Sequence, residues 1–285
     1  MNEGVVTRDM AEYPPLLREI KNSPERLYYT GDISLLSRRC VAVVGSRTVT
    51  PYGRNVAESI GRKLGEHGIT VVSGMARGID SFAHKGALRA GGNTAAVFAG
   101  GTDVCYPAEN RNLKAEIERK GVIVSEQPPG KVPEKYDFPL RNRIISGLCE
   151  MTIVVQARNR SGALITAELA EDQGRRLMAV PGNIDSEYNL GNNKIIREGV
   201  MPVVSIDDIL HELGISYEKP DIVREKLSST EYQVYELLRG RGEMSIDELC
   251  ILMDKPPGYV NRILSVLEMK GLVFSEIGKI FLANR

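Results

Sequence analysis

Clustered cysteine is the first thing this chain lacks. Its four cysteines, Cys40, Cys105, Cys149 and Cys250, are scattered over 285 residues with no CxxC pair and no Cys/His group. That spacing excludes a disulfide framework and a metal site, and no cofactor is expected. Histidine occurs only at His67, His84 and His211. An excess of either charge is also missing: 37 basic residues face 37 acidic ones. Any nucleic-acid binding must then come from a local patch rather than from a generally basic protein. No apolar run approaches membrane-spanning length, and the start Met1-Asn2-Glu3-Gly4 is not a signal peptide. No membrane partner is expected, and the cytoplasm is the expected location. Two phosphate-binding motifs are absent as well. Without G-x-G-x-x-G, and with Ser73-Gly74 rather than an acidic residue ending the second strand, bound NAD is not expected. Without G-x-x-x-x-G-K-[ST], nothing indicates ATP hydrolysis.

What is present is an ordinary globular composition, 42% hydrophobic and 26% charged, of a length that suits one large or two unequal domains. Short apolar runs at Val41–Val44, Ile69–Ser73, Thr94–Ala99, Val122–Ser125, Met151–Gln156, Leu177–Val180 and Pro202–Val204 read as strands. Helical patterns near 53–67, 80–90, 109–120, 140–148, 162–174 and 193–199 lie between them. Continuous Val/Ile/Ala runs suit strands buried on both faces, and the alternation predicts an α/β fold with a doubly wound, mostly parallel sheet. Ligands of such sheets bind at the carboxyl ends of the strands. Residues 1–38 read as a short lead containing Tyr13-Pro14-Pro15-Leu16-Leu17, and 39–213 as the α/β domain. Residues 214–227, polar with Pro220, read as a linker. Residues 228–285 read as a winged helix: a helix opened by Ser229-Thr230-Glu231, a second behind the capping box Ser245–Glu248, a third after Pro256-Pro257-Gly258, then a hairpin turning at Gly278.

The most informative segment is Phe138-Pro139-Leu140-Arg141-Asn142-Arg143. Guanidinium forks bind phosphate bidentately and an aromatic face stacks on an unpaired base. The alternative is a solvated basic loop with Phe138 turned inward. Locally, Arg141, Arg143, Arg158 and Arg160 face only Glu150. Four loops add to this. Gly45-Ser46-Arg47 follows the first predicted strand and offers backbone and side-chain donors, or else a tight turn with Arg47 salt-bridged. Ser73-Gly74-Met75-Ala76-Arg77-Gly78 is glycine-rich and basic; behind it Asp80 reads as a helix N-cap and His84 as a packing or hydrogen-bonding residue. Gly100-Gly101-Thr102-Asp103 continues to Tyr106-Pro107. Arg158-Asn159-Arg160-Ser161-Gly162 opens a helix, either as an anion site or as a plain cap. No loop brings a convincing nucleophile, base or metal ligand, so no catalytic residue is named and binding is favoured over catalysis.

Taken together, these motifs resemble the DNA-processing protein A family (DprA, or Smf). The matching text is Val41-Ala-Val-Val-Gly-Ser-Arg47, Ser73-Gly-Met-Ala-Arg-Gly-Ile-Asp80 with Ala83-His84, Phe138-Pro-Leu-Arg-Asn-Arg-Ile-Ile145, Arg160-Ser-Gly-Ala-Leu-Ile-Thr166, and Val180-Pro-Gly182 leading to Gly191-Asn-Asn193. Tyr13–Leu17 and Leu27-Tyr-Tyr-Thr-Gly31 also look like the family's approach to its first strand. The resemblance spans roughly 13–212, and a C-terminal winged helix occurs in many members. It implies a non-catalytic, extended Rossmann-like domain. Such proteins bind and protect single-stranded DNA taken up in natural transformation and help load the recombinase RecA, usually as homodimers. By the same resemblance Arg47 is a phosphate-binding arginine. Lys135, Phe138, Arg141 and Arg143 fall in the strand-binding segment, and Ser161 and Gly162 in the helix-start motif. Together with Gly45, Ser46, Arg77, Asn142 and Arg160 they are the expected DNA site. Many members carry a further helical domain at the N-terminus, for which the lead leaves no room, so partner contacts of that domain are not carried over.

Two other functions are weighed. The lysine-decarboxylase-like phosphoribohydrolases share such a core, but carry Pro-Gly-Gly-x-Gly-Thr before a catalytic glutamate. Here the comparable loop is Arg160-Ser-Gly-Ala-Leu-Ile-Thr166 followed by Glu168, and the glycine pattern does not match. A sequence-specific repressor role for the winged helix is opposed by its charge. Residues 228–285 hold seven basic and eight acidic residues, poor for phosphate-driven affinity.

Overall fold

The computed structural model describes residues 2–215, 227–276 and 278–283. The 214–227 linker falls almost wholly outside the described residues. The chain divides into two compact units, Met1–Ile215 and Ser216–Arg285.

The first unit is an α/β layer structure on a nine-stranded sheet. Its strands are β1 (Glu3–Thr7), β2 (Arg26–Gly31), β3 (Cys40–Gly45), β4 (Thr70–Ser73), β5 (Thr94–Phe98), β6 (Val122–Ser125), β7 (Met151–Gln156), β8 (Arg176–Ala179) and β9 (Met201–Pro202). They lie in the order β1-β2-β6-β5-β4-β3-β7-β8-β9. From β6 to β9 every neighbouring pair is parallel, as continuous apolar strands predict. β4, β5, β6 and β7 are buried along their whole length. The predicted lead contributes structure of its own: β1 and β2 extend the sheet antiparallel beyond β6, and the short helix α1 (Pro15–Glu19) packs Leu17 into the core.

The helices between strands are α2 (Pro51–Glu66), α3 (Ile79–Arg89), α4 (Arg111–Lys120), α5 (Asp137–Gly147), α6 (Gly162–Asp172), α7 (Leu190–Arg197) and α8 (Ile206–Glu212). From β3 the chain winds outward through β4, β5 and β6, then returns to lay β7 against the other side of β3. The crevice of a doubly wound sheet opens at this reversal, beyond the carboxyl ends of β3 and β7.

α2 and α3 touch backbone to backbone. A Cβ added at Gly61 would stand 2.2 Å from the Ala83 carbonyl oxygen, and one at Gly86 2.2 Å from that of Glu58. Gly61→Ala should therefore cost about 1–3 kcal/mol through overpacking. Gly162→Ala, where nothing lies within 4 Å, should melt like the parent. Thermal denaturation by circular dichroism compares the two, and equal melting temperatures would remove the close seam.

The second unit runs helix Ser229–Arg241, strand Glu243–Ser245, helix Ile246–Met253, helix Pro257–Met269, and strands Val273–Glu276 and Lys279–Leu282. Lys279–Leu282 is the central strand of the three. Both of the first two helices open with a capping box, Ser228 with Glu231 and Ser245 with Glu248. Val234, Leu238, Leu249, Val260, Leu264, Leu267 and Ile280 form its own core.

Candidate functional site

A cleft of about 580 Å³ opens at the β3/β7 reversal. It collects residues from all four loops: Gly45 and Arg47 after β3, Ala76 and Asp80 after β4, Tyr106 after β5, and Ser161 and Gly162 after β7. One face of α5 closes it with Phe138, Arg141, Asn142 and Ile145, and Lys135 lies just ahead of that helix. The spacing 138, 141, 142, 145 is the i, i+3, i+4, i+7 stripe of a helix.

The Gly45–Arg47 turn is pinned on both sides. Ser46 N–H donates to the Gln156 carbonyl (2.7 Å), and the Ser46 carbonyl accepts from Ile79 N–H (3.2 Å). Gly78 makes that second contact possible. Its φ is +81°, and a Cβ there would lie 2.2 Å from Ser46 O. Gln156 also reaches across with its side chain. Its Oε1 accepts from Thr50 N–H (3.0 Å), and its Nε2 donates to Thr50 Oγ1 and Asn189 Oδ1, both at 3.0 Å. Asn192 Nδ2 donates to the Val154 and Val180 carbonyls (2.9 Å each), fastening α7 to β7 and β8. Gln156 was not singled out from sequence, and Asn192 only as part of the Gly191-Asn-Asn193 motif.

Arg47 is exposed. Its guanidinium carbon stands 5.1 Å over the centroid of Phe138, and Tyr106 packs against the same ring at 5.3 Å with a 50° tilt. Cation–π attraction holds an exposed guanidinium in this way at about 0.5–1 kcal/mol. Among the described residues neither Arg47 nor Lys135 forms an ion pair, so both charges are open to a ligand anion. Arg141 is different. It is only 7% exposed, and its Nη1 donates to the Gly74 carbonyl (3.0 Å) and to the Val97 carbonyl. Burial, opposed by Asp80 and assisted by Arg47, brings its pKa down to about 10, so it stays charged at neutral pH. Asp80 accepts from Gly74 N–H (3.2 Å) and Ala76 N–H (3.3 Å), and burial raises its pKa. The residue at the N-cap of α3 is Gly78, and Asp80 instead ties down the preceding loop. Ser161 caps α6, accepting from Ala163 N–H (3.3 Å), and Thr166 Oγ1 donates to the Gly162 carbonyl (3.4 Å). These hydroxyls serve the helix, and no histidine lines the cleft.

With that geometry in view, the sequence profile of DNA recombination-mediator protein A matches residues 4–214. The chain belongs to this family. Among its curated relatives, the DNA processing protein DprA of Bacillus subtilis is 41% identical over 213 residues, covering 73% of this chain and 72% of that one. The putative DNA processing protein DprA of Mycobacterium tuberculosis is 37% identical and covers 96% of this chain and 76% of its own. The X-ray structure of DprA from Streptococcus pneumoniae superposes with a TM-score of 0.71 at 40% identity, over 76% of each chain. A solved structure of DNA processing protein A from Helicobacter pylori, described for its single-stranded DNA binding mode, gives 0.67 at 29% identity, over 73% of this chain and 95% of that one.

Of the twelve residues expected at the DNA site, the cleft unites Gly45, Arg47, Lys135, Phe138, Arg141, Asn142, Ser161 and Gly162. Four others are not brought to its wall. Ser46 is taken up in the turn, its Oγ accepting from Thr48 N–H at 3.2 Å. Arg77 forks to Glu109 from an exposed position. Arg160 is exposed on the β7–α6 loop. Arg143 points off the opposite side of α5, where its Nη2 holds both carboxylate oxygens of Glu126 at 2.8 Å. There it lines a separate cavity with Glu19, Gln173 and Arg175. The basic cluster expected around Arg141 is accordingly smaller than its sequence suggests. Arg141 is buried, Arg143 is paired with Glu126, and Arg158 is paired with Glu187 while lying 4.4 Å over Tyr188.

Among the described residues there is no group of three potential metal ligands, and no helix is long and apolar enough to cross a membrane. All four cysteines are free thiols, and burial pushes that of Cys40 up to about 12.

Proposed function

We propose that this recombination mediator holds single-stranded DNA in the β3/β7 cleft. The carrying observation is Arg47 lying over Phe138 at the cleft wall, with Lys135 beside it: open cations against aromatic surface. Phosphates meet the cations and bases meet the rings, and neither contact selects a sequence. A duplex keeps its bases stacked inside and offers only the phosphate contribution.

Protection of the strand, loading of RecA and homodimer assembly form part of the same reading, supported by family membership. The second unit we read as a winged helix serving as a contact module, since its charge balance gives phosphate little attraction.

Fluorescence anisotropy with single- and double-stranded oligonucleotides over a salt series tests the reading. The single strand should bind more tightly, with affinity falling as salt rises. Arg47→Ala should lose about 1.5–3 kcal/mol of binding with only a small fall in melting temperature from the lost Phe138 contact. Arg143→Ala should instead lower the melting temperature and leave the affinity of the folded protein intact, because its partner is Glu126. Equal affinity for duplex and single strand, or an Arg47→Ala variant that binds like the parent, would defeat the reading.

A further inference from the structure

The second cavity, on the far side of α5, has a volume of about 540 Å³. Three separate stretches wall it: Glu19 and Lys21 at and after the end of α1, Arg143 in α5, and Gln173 and Arg175 after α6. Both guanidiniums are largely buried, with 10% of the Arg175 side chain and 17% of the Arg143 side chain exposed. Both are also only partly satisfied. Arg143 Nη2 goes to Glu126; Arg175 Nη2 donates to the Leu16 carbonyl (2.7 Å), and both of its Nη atoms reach Glu19 Oε2 at 3.3 Å. Arg143 Nη1 and Arg175 Nε are buried with no hydrogen-bond partner, and so is Gln173 Oε1. The Gln173 amide has a fixed sense, because its Nε2 donates to the Arg143 carbonyl (3.1 Å). Oε1 is therefore a bare acceptor. Buried polar groups are normally paired, and an unpaired one carries its whole desolvation cost. Here two charged donors and one neutral acceptor, all unpaired, belong to the wall of one cavity.

We infer that this cavity is a site for inorganic phosphate, held by Arg143 and Arg175 and selected by Gln173. The two guanidinium groups donate to unprotonated phosphate oxygens. At neutral pH inorganic phosphate keeps a P–O–H, which donates to Gln173 Oε1. Sulfate is fully deprotonated, so one of its oxygens faces the Gln173 lone pair with no hydrogen to place between them. A phosphate monoester gives up its last P–O–H near pH 6, about a unit below neutrality, and is disfavoured on the same ground. Water brings no charge to the two cations, and its share of volume, about 30 Å³, is a small part of the cavity. The carboxylates of Glu19 and Asp172 also line the wall, against the three cations Lys21, Arg143 and Arg175. The bound ion ties the end of α1, α5 and the turn after α6 together. It uses neither Arg47 nor Lys135.

Isothermal titration calorimetry of the full chain at pH 7.5, with potassium phosphate or potassium sulfate at matched ionic strength, tests the site. Phosphate should bind saturably, one ion per chain, and sulfate roughly tenfold or more weakly. Phosphate should also raise the melting temperature, since it binds only the folded chain. Arg143→Met should lose roughly 10- to 100-fold in phosphate affinity. Gln173→Leu, which leaves both guanidiniums in place, should bring phosphate and sulfate to similar affinity, and it decides the matter if Arg143→Met does not fold. Arg47→Ala should bind phosphate like the parent. Absence of saturable phosphate binding, equal affinity for sulfate in the parent, or an unchanged preference in Gln173→Leu would overturn the site. Loss of phosphate binding in Arg47→Ala would overturn it too, by moving the ion to the β3/β7 cleft.

Discussion

Arg141→Ala should lower the stability of the first unit by about 3–5 kcal/mol, more than any change at the exposed cleft residues. The guanidinium is buried and donates to carbonyls at the ends of two adjacent strands, Gly74 after β4 and Val97 in β5. Its removal takes the guanidinium donor away from both carbonyls, at about 1–3 kcal/mol each. It also removes the cation that opposes the raised pKa of buried Asp80. Arg141→Lys keeps the charge but loses the fork, and should fall between the two. Urea unfolding measures the loss. A normal unfolding midpoint with a large drop in DNA affinity would instead make Arg141 a direct phosphate ligand.

A second large effect is expected from pH. His84 is fully buried, and burial, aided by the positive charge of Arg141, brings its pKa down to about 3. Thr94 Oγ1 gives its one hydrogen to the Val71 carbonyl (2.8 Å), so at 2.6 Å it accepts from His84 Nδ1–H. This leaves Nε2 as a buried lone pair without a partner. The folded pKa lies below the ordinary value of 6.5, so the unfolded chain takes up the proton first as pH falls. The His84 contribution is therefore complete above about pH 6.5 and declines by about 1.4 kcal/mol per pH unit down towards pH 3. Asp80, with its pKa raised, acts in the opposite sense, binding its proton in the folded state first. Comparison with His84→Gln isolates the histidine. The stability difference between parent and variant should shift steadily against the parent from pH 7 to pH 4. Parallel curves would mean that His84 titrates alike in the folded and unfolded chains.

The parallel half of the sheet was legible because its strands are uninterrupted apolar runs; Val122–Ser125 and Met151–Gln156 match residue for residue. β1 and β2 were not. Glu-Gly-Val-Val-Thr and Arg-Leu-Tyr-Tyr-Thr-Gly carry too few apolar residues to stand out, since only part of each strand is buried. α8 was missed although its capping box, Ser205 with Asp208, was there to be read. At the site, glycine and arginine loops after strands pointed to the edge of the sheet where the cleft opens. The direction of each arginine was harder to see. With the helix begun at residue 140, Arg141 and Arg143 look like neighbours on one basic segment. Begun at Asp137, the helix turns 100° per residue, so Phe138, Arg141 and Asn142 share a face that excludes Arg143. The burial of Arg141 had no local signal at all. It depends on carbonyls 67 and 44 positions away.

The two walls of the cleft are also far apart in time. Thr50 and Gln156, which brace the β3 turn, are 106 positions apart, and synthesis proceeds from the N-terminus at about 5–20 residues per second. For on the order of seconds, then, a nascent chain already carries Arg47 and the first half of the sheet while β7 and the start of α6 do not yet exist. During that interval β3 is an open edge, with free N–H and C=O groups along the side that β7 will cover. The arrival of residues 151–166 closes that edge and completes the lining of the cleft together, so the cavity takes its final shape in a late step of the chain's own folding.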